Sequence, residues 1–414
     1  MMLDKYKKNN SLLLLFIFFS LFFTGTYFCF INNYGWDHDT YAMIETYLNI
    51  LEDGKYIRSR GAGYLIPEIG IGFLSYYLGS FSVNFLSFSF LIVGLIFFYK
   101  SLIKILEKYL VFGRRKDNEI LTIFILICLT NHIVFRDSTI PMDYSWSFLF
   151  YSMGFYFITK KKLELSLIFF SLSFGSRFNF IVFILPTILF LSQSFIDNKK
   201  KVLFSFIILT YGGLFYLPSW LQSSFSLDFI FSSKWYNSFK SAPALSLEES
   251  VRFLHKTISA IGLLFSLIVF IIFINNKKNL LIIYKNYKIP IILILINLIV
   301  FFFFPWEPSF LWILIFVLNF ILVTLYNKKI IFLLIFINLF TWFYQVKIIE
   351  ITYENNGCLK HPTQAKLKLN FEKGIMLTFP ERAEHAKCYP DLLGKNTKII
   401  NYKSQLINGN KLLN

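Results

Sequence analysis

The sequence predicts an all-α fold: a polytopic transmembrane bundle of about eleven helices over residues 1–346, followed by a small polar region at 347–414 outside the membrane. Three observations carry this expectation. First, 56% of the 414 residues are hydrophobic, 53 of them Phe. Apolar runs long enough to span recur along the chain; a bilayer core about 30 Å thick takes ~20 apolar residues as a helix. Second, the runs lack the alternation of barrel strands, and a segment in lipid must satisfy its own backbone, so helices are the reading. Third, the net charge of +17 is patterned. Lysines cluster between apolar runs, as cytoplasmic anchors do. That placement argues for membrane lipids as partners and against nucleic acid, the usual inference from a basic chain.

Residues Met1–Asn10 carry Lys5, Lys7 and Lys8 and are expected inside. Segment 11–31 then exits. It resembles a secretory signal, but no small-residue cleavage site leads into a soluble domain, so it is read as a retained helix. Residues 32–80 form a long outer loop, and 81–100 returns to Lys104, Lys108, Arg114, Arg115 and Lys116. Segment 119–135 exits, and 144–158 returns to Lys160, Lys161 and Lys162. The apolar stretch 163–194 has lysines on both flanks and Gly175-Ser176-Arg177 at its middle. It is read as an out-and-back hairpin of two short helices with Arg177 at the outer bend. Segment 203–220 exits, 221–256 forms a second outer loop and 257–275 returns. Segment 289–304 exits, 309–326 returns and 330–346 exits last. The inner segments of this scheme hold about half of the 41 Lys+Arg but about a quarter of the 24 Asp+Glu, the asymmetry that sets orientation. Dense Lys, Asn, Ile and Phe suit an AT-rich bacterial genome, and hence a bacterial inner membrane.

Of the four cysteines, Cys29 and Cys128 fall in spanning segments as small apolar residues. Cys358 and Cys388 both lie in the outer tail, where an oxidising compartment lets them form a disulfide. A region of ~70 residues needs such a staple. The alternative is two free thiols in a loosely ordered extension. No zinc-ligand spacing is present, and no metal ligand is assigned.

The first outer loop reads Gly35-Trp36-Asp37-His38-Asp39-Thr40-Tyr41 and leads into an amphipathic helix. Tyr41, Ile44, Leu48 and Leu51 share one face; Glu45, Asn49 and Glu52 share the other. Such a helix is expected at the interface, apolar side toward lipid. Asp53-Gly54-Lys55 signals a turn. Then come Arg58-Ser59-Arg60-Gly61-Ala62-Gly63-Tyr64 and a short juxtamembrane helix over 64–79 bearing Glu68. A carboxylate can take the proton of a sugar hydroxyl, and an arginine fork can hold a phosphate. Solvated loop charges explain the same residues equally well. Asp137 and Asp143 flank Pro141. Arg177 stands between apolar helices, where a charge is costly and points to function; its plain alternative is snorkelling. Glu307 in Pro305-Trp306-Glu307-Pro308 reads as a turn residue, and His38, His132 and His255 as ordinary polar residues. There is no phosphate-cradling loop and no dinucleotide fingerprint, and the inner loops are short, so a nucleotide substrate has no place on the inner face.

Taken in order, these elements resemble the GT-C-type membrane glycosyltransferases, which include lipid A aminoarabinose transferases and protein O-mannosyltransferases. The resemblance covers roughly 11–195 and rests on order and spacing. Its parts are Asp37-His38-Asp39-Thr40-Tyr41-Ala42 after the first helix, Asp53-Gly54 and then Arg60-Gly61-Ala62-Gly63-Tyr64, Asp143 entering a later helix, and Arg177 at a hairpin bend. The resemblance implies a polyprenyl-phosphate-sugar donor bound between membrane and outer loops, and a glycan, lipid or protein acceptor. It implies a first-loop Asp as general base and inversion at the anomeric carbon. Arg58 or Arg60, with Arg177, would hold the donor phosphate; Asp143 and Glu68 would be acids of the cavity. Asp37 is slightly favoured over Asp39 as base, and both stand. Gly-Ala-Gly replaces the proline-bearing sequence that often follows the loop arginine. Relatives differ in using a divalent metal beside such acids, and both alternatives stand. Three rivals remain: a polymerase of lipid-linked repeat units, whose charges belong in a late loop, a lipid-linked glycan transporter, marked by repeats and broken helices, and a structural scaffold.

Overall fold

The computed structural model describes residues 2–32, 34, 38–59, 63–107, 117–191, 193–225, 247–275, 286–303 and 308–345, together with three short segments of the tail. Up to residue 345 the described chain is helical, as expected. The first group comprises α1 (Met2–Ile31), α2 (His38–Asp53), α3 (Leu65–Leu78) and α4 (Ser80–Leu106). Next come α5 (Asp117–Leu129), α6 (His132–Ser138), α7 (Asp143–Thr159), α8 (Leu163–Ser176) and α9 (Ile181–Phe190). Then follow α10 (Asn198–Leu214), α11 (Leu217–Gln222), α12 (Leu247–Ile261), α13 (Leu263–Asn275), α14 (Lys288–Phe303), α15 (Trp312–Leu325) and α16 (Lys328–Gln345).

Two helices, Leu12–Ile31 and Ser80–Leu106, are long and apolar enough to cross a membrane alone. Two bent pairs raise the number to four if each is one span. Among the described residues, length and apolarity therefore support two to four crossings, and the expected count of about eleven is not confirmed. The other apolar helices are shorter: the 14 residues of α8 reach only about 21 Å. Several helices are apolar on their outer faces too, with Phe16, Phe19 and Phe23 on α1, Phe206 on α10, Phe270 on α13 and Phe336 on α16 all exposed. A helix apolar all round belongs in a core or a membrane.

The central slab is α4, α7 and α8. Small residues let these helices close: a side chain on Gly94 would meet the Phe148 ring at 2.8 Å, and one on Gly154 would meet Phe170 at 2.6 Å. This close approach is how apolar helices associate without a hydrophobic driving force between them.

Four expectations change. The stretch 119–135 is not one helix, because α5 and α6 meet at 85°. Asn131 makes the break: its side chain accepts from the N–H groups of Ile133 and Val134 and starts a new helix. The stretch 257–275 is broken as well, with α12 and α13 bent by 87°. Here the cause is Gly262, whose φ of +96° is open to glycine and costly for other residues. The two breaks touch, since the Asn131 amide donates to the Ala260 carbonyl at 2.9 Å. Third, α2 does not turn its apolar face to lipid. Ile44 and Leu48 are buried against Tyr34, Ile71, Val83 and Trp146, because α3 and α7 offer that face an apolar surface; Leu51 stays exposed. Fourth, the tail adds short strands to a chain expected to be all-α. It holds β1 (Lys347–Glu350), β2 (Ile375–Thr378) and β3 (Lys398–Asn401) in the order β1-β3-β2, with β1/β3 antiparallel and β2/β3 parallel. Cys358 and Cys388 lie outside the described residues.

Candidate functional site

The bundle has two chemically distinct ends. Helices α7 and α8 are joined by the short turn Lys160–Lys162, so the start of α7 and the end of α8 lie at the opposite end from those lysines. Asp143 opens α7 and Arg177 closes α8. Arg177 leaves the helix in an extended conformation, which ends α8 and turns its side chain inward. Its Nη1 lies 2.6 Å from Asp143 Oδ1, with side-chain exposures of 5% and 1%. The guanidinium sits 3.6 Å from the centre of the Tyr144 ring and 5.2 Å from that of Phe310. Ion pairing and ring contact together offset the cost of burying this charge.

The first loop reaches the same place. Asn32, just after α1, donates to the Thr139 hydroxyl at 3.1 Å. The Thr40 hydroxyl donates to the Pro141 carbonyl at 3.2 Å. Asp39 lies in the first turn of α2 beside Thr40 and is half-buried. Thr40, the next residue, is thus tied to the short segment 139–142 that leads into Asp143. Asp37 lies outside the described residues.

Glu68, on the first turn of α3, is fully buried. Its carboxylate accepts from the Tyr56 hydroxyl (2.7 Å), the Ser59 N–H (3.0 Å) and the Ser59 hydroxyl (2.5 Å). Tyr56 also meets the Ser219 hydroxyl at 3.1 Å. Burial, and then the charge of Glu68, push the Tyr56 phenol above its ordinary pKa, so it stays protonated and donates. Gly63 (φ +67°) completes this clasp. A side chain there would meet Ser219 Oγ at 2.1 Å and the Tyr56 oxygen at 2.5 Å. Glu68 thus anchors the loop that precedes α3. Arg58 projects from that loop to α11: its Nη1 donates to the Ser223 hydroxyl at 2.6 Å, and its backbone N–H to the Gln222 side-chain oxygen at 3.3 Å. Arg60 lies outside the described residues.

Tyr216, in the turn between α10 and α11, links these groups. Its hydroxyl donates to the Phe174 carbonyl at 2.5 Å. The Tyr64 ring meets the Tyr216 ring edge to face at 6.4 Å, so Tyr216 joins the end of α8 to the segment that enters α3.

Asp137 was singled out from sequence, but its partner Arg136 was missed. Arg136 and Asp137 are fully buried and form an ion pair, and the Ser309 hydroxyl donates to Asp137. Phe310, the next residue, faces Arg177, so two arginine–aspartate pairs adjoin one turn at Pro308–Leu311. The signal was present in Arg136-Asp137 at the end of an apolar run. The unrecognised break at Asn131 hid it, placing the pair in an outer loop. His132 is buried in α6, His255 is exposed on α12, and Glu307 lies outside the described residues. Among the described residues, no group of three or more His, Cys, Asp or Glu is arranged to hold a metal. No protein-family model, no curated protein and no solved structure matches the chain.

Proposed function

We propose that this protein is a membrane glycosyltransferase. It moves a sugar from a polyprenyl-phosphate carrier to a glycan, lipid or protein acceptor on the extracytoplasmic face of a bacterial inner membrane. In this reading the shorter apolar helices also lie in the bilayer, with the lysine turn at Lys160–Lys162 inside and Arg177 outside. A first-loop aspartate, Asp37 or Asp39, takes the acceptor proton and the anomeric centre inverts. Arg177 and the loop arginines Arg58 and Arg60 balance the charge of the departing phosphate. Asp143 holds Arg177 in place, and Glu68 holds the loop. Low dielectric beside the membrane strengthens each of these interactions.

The observation that supports this reading most is the Thr40–Pro141 hydrogen bond. It ties Thr40, the residue after Asp39, to the segment leading into Asp143, and sugar transfer needs a base near a cation. The test is transfer by the purified, reconstituted protein from a panel of polyprenyl-phosphate sugars, comparing wild type with Asp37→Asn and Asp39→Asn. Transfer that survives both substitutions would sink the assignment of the base.

A second reading, a transporter of lipid-linked glycans, draws on a different observation. The two broken helices meet through Asn131 and Ala260, and broken helices are the usual mark of transporter sites. Lipid-linked glycan crossing vesicles without any transfer product would favour it.

A further inference from the structure

Two breaks in the helical chain meet inside the bundle: α5 gives way to α6 around Asn131, and α12 to α13 around Gly262. Two more asparagines stand there, Asn319 halfway along α15 and Asn338 on α16. Asn131, Asn319 and Asn338 line one gap, and they are only 3%, 2% and 6% exposed. The rest of the lining is apolar and includes Ile261 and Phe265, on either side of Gly262. Polar groups inside an apolar bundle are costly and point to function.

The way the amides are turned decides what the gap suits. Each nitrogen is spent on a neighbour: Asn131 donates to the Ala260 carbonyl at 2.9 Å, Asn319 to Cys128 Sγ at 3.7 Å and Asn338 to the Thr130 hydroxyl at 3.4 Å. The Asn131 oxygen is spent as well, on the N–H groups of Ile133 and Val134. Among the described residues nothing donates to the amide oxygens of Asn319 and Asn338. A buried acceptor left in this way carries its full desolvation cost until a ligand serves it. Oxygens without donors favour a cation over an anion. None of the lining residues is a carboxylate, the ligand that Ca²⁺ and Mg²⁺ favour. The gap is too narrow for a water molecule, so the ion enters bare; Na⁺ is smaller than water, whereas K⁺ is about its size. The carbonyl ends of α5 and α12 adjoin the gap and carry negative dipole, the arrangement that holds Na⁺ where helices are broken.

We propose that the junction of the two broken helices binds a sodium ion, with the amide oxygens of Asn319 and Asn338 as side-chain ligands and carbonyls from the ends of α5 and α12 completing the set. Bound sodium ties α15 and α16 to both breaks and stabilises the folded chain by mass action. The α12–α13 corner is polar enough for such a site, since Thr257 Oγ1 and Ser266 Oγ are also buried there with no hydrogen-bond partner. The site stands whether or not the protein transfers sugar.

The test uses the purified full chain in nanodiscs, in choline chloride with NaCl or KCl replacing it at constant ionic strength. NaCl at about 100 mM should raise the Tm by about 2 °C or more and the rise should saturate, while KCl should leave the Tm near its value in choline chloride. Radioactive sodium should bind saturably, close to one ion per chain, and be displaced by NaCl and not by KCl. Asn319→Leu and Asn338→Leu each remove a ligand oxygen together with its cost of burial. Each should lower sodium affinity at least about tenfold, while unfolding in choline chloride stays near wild type. Asn319→Asp keeps the oxygen, adds charge and should strengthen the sodium dependence. Amides with a purely structural role would instead lose stability equally in all three salts, which overturns the proposal. So does a wild type that binds no sodium, a KCl effect equal to that of NaCl, or sodium affinity that is the same in wild type, Asn319→Leu and Asn319→Asp.

Discussion

The two ends of the bundle use similar charged residues in opposite ways. At the lysine end the charges stay in contact with solvent: Lys200 and Asp197 pair at 3.5 Å with both side chains about two-thirds exposed (65% and 67%), and Lys160, Lys161 and Lys162 are exposed. Where a lysine is drawn in, as with Lys201, it caps the carbonyls of Leu189, in the last turn of α9, and of Leu191, just past its end. At the other end Arg136, Asp137, Asp143 and Arg177 are nearly or fully buried. Exposed pairs contribute little to stability, whereas a buried pair is costly to break even where forming it gains little. The lysine end is therefore tolerant, and the Arg177 end carries charges the fold must keep satisfied. Charges held at such cost are expected where chemistry is done.

That contrast can be broken at four places. The largest effect is expected for Asp143→Ala, which strands Arg177 in the interior and should destabilise the protein by about 3–5 kcal/mol in thermal unfolding. The double change Asp143→Leu with Arg177→Met should recover most of it, and a single change costing under about 1 kcal/mol would mean that water serves the pair. Next is Gly63→Ala. It combines a left-handed backbone with a clash against Ser219 and Tyr56, and should cost about 1–3 kcal/mol. Asn131→Ala removes both the start of α6 and the link to Ala260, a loss of about 1–2 kcal/mol. Asn131→Asp should keep the cap and lose the link, so the two variants divide the effect. Smallest is Lys200→Ala, expected within about 0.5 kcal/mol of wild type. A larger loss there would erase the distinction between the ends.

Much of this was readable in the residues. Apolar runs and lysine flanks located α4, α7, α14, α15 and α16 to within a few residues, and the break expected at Arg177 is where α8 ends. Amphipathicity showed that α2 buries Ile44 and Leu48. It could not say against what, because protein and lipid are alike to an apolar face. The breaks at Asn131 and Gly262 escaped because hydropathy averages over a window longer than a single cap or turn, although Thr130-Asn131 is a helix-start signal. The burial of Arg136 and Asp137 follows from that break and from Ser309, 172 residues away in the chain. Such a contact leaves no local trace. For the same reason the loop arginine gave no sign that its partners would be Ser223 and Gln222.

The most direct measurement asks whether the first loop and the hairpin arginine share one compartment. Cysteines at Thr40 and Pro141, in a background where Cys358 and Cys388 are serine, should form a disulfide in intact membranes, and an impermeant thiol reagent added from outside should block it. Cysteines that fail to join, or that take the reagent from opposite faces of the bilayer, would contradict the arrangement and the sugar-transfer chemistry proposed from it.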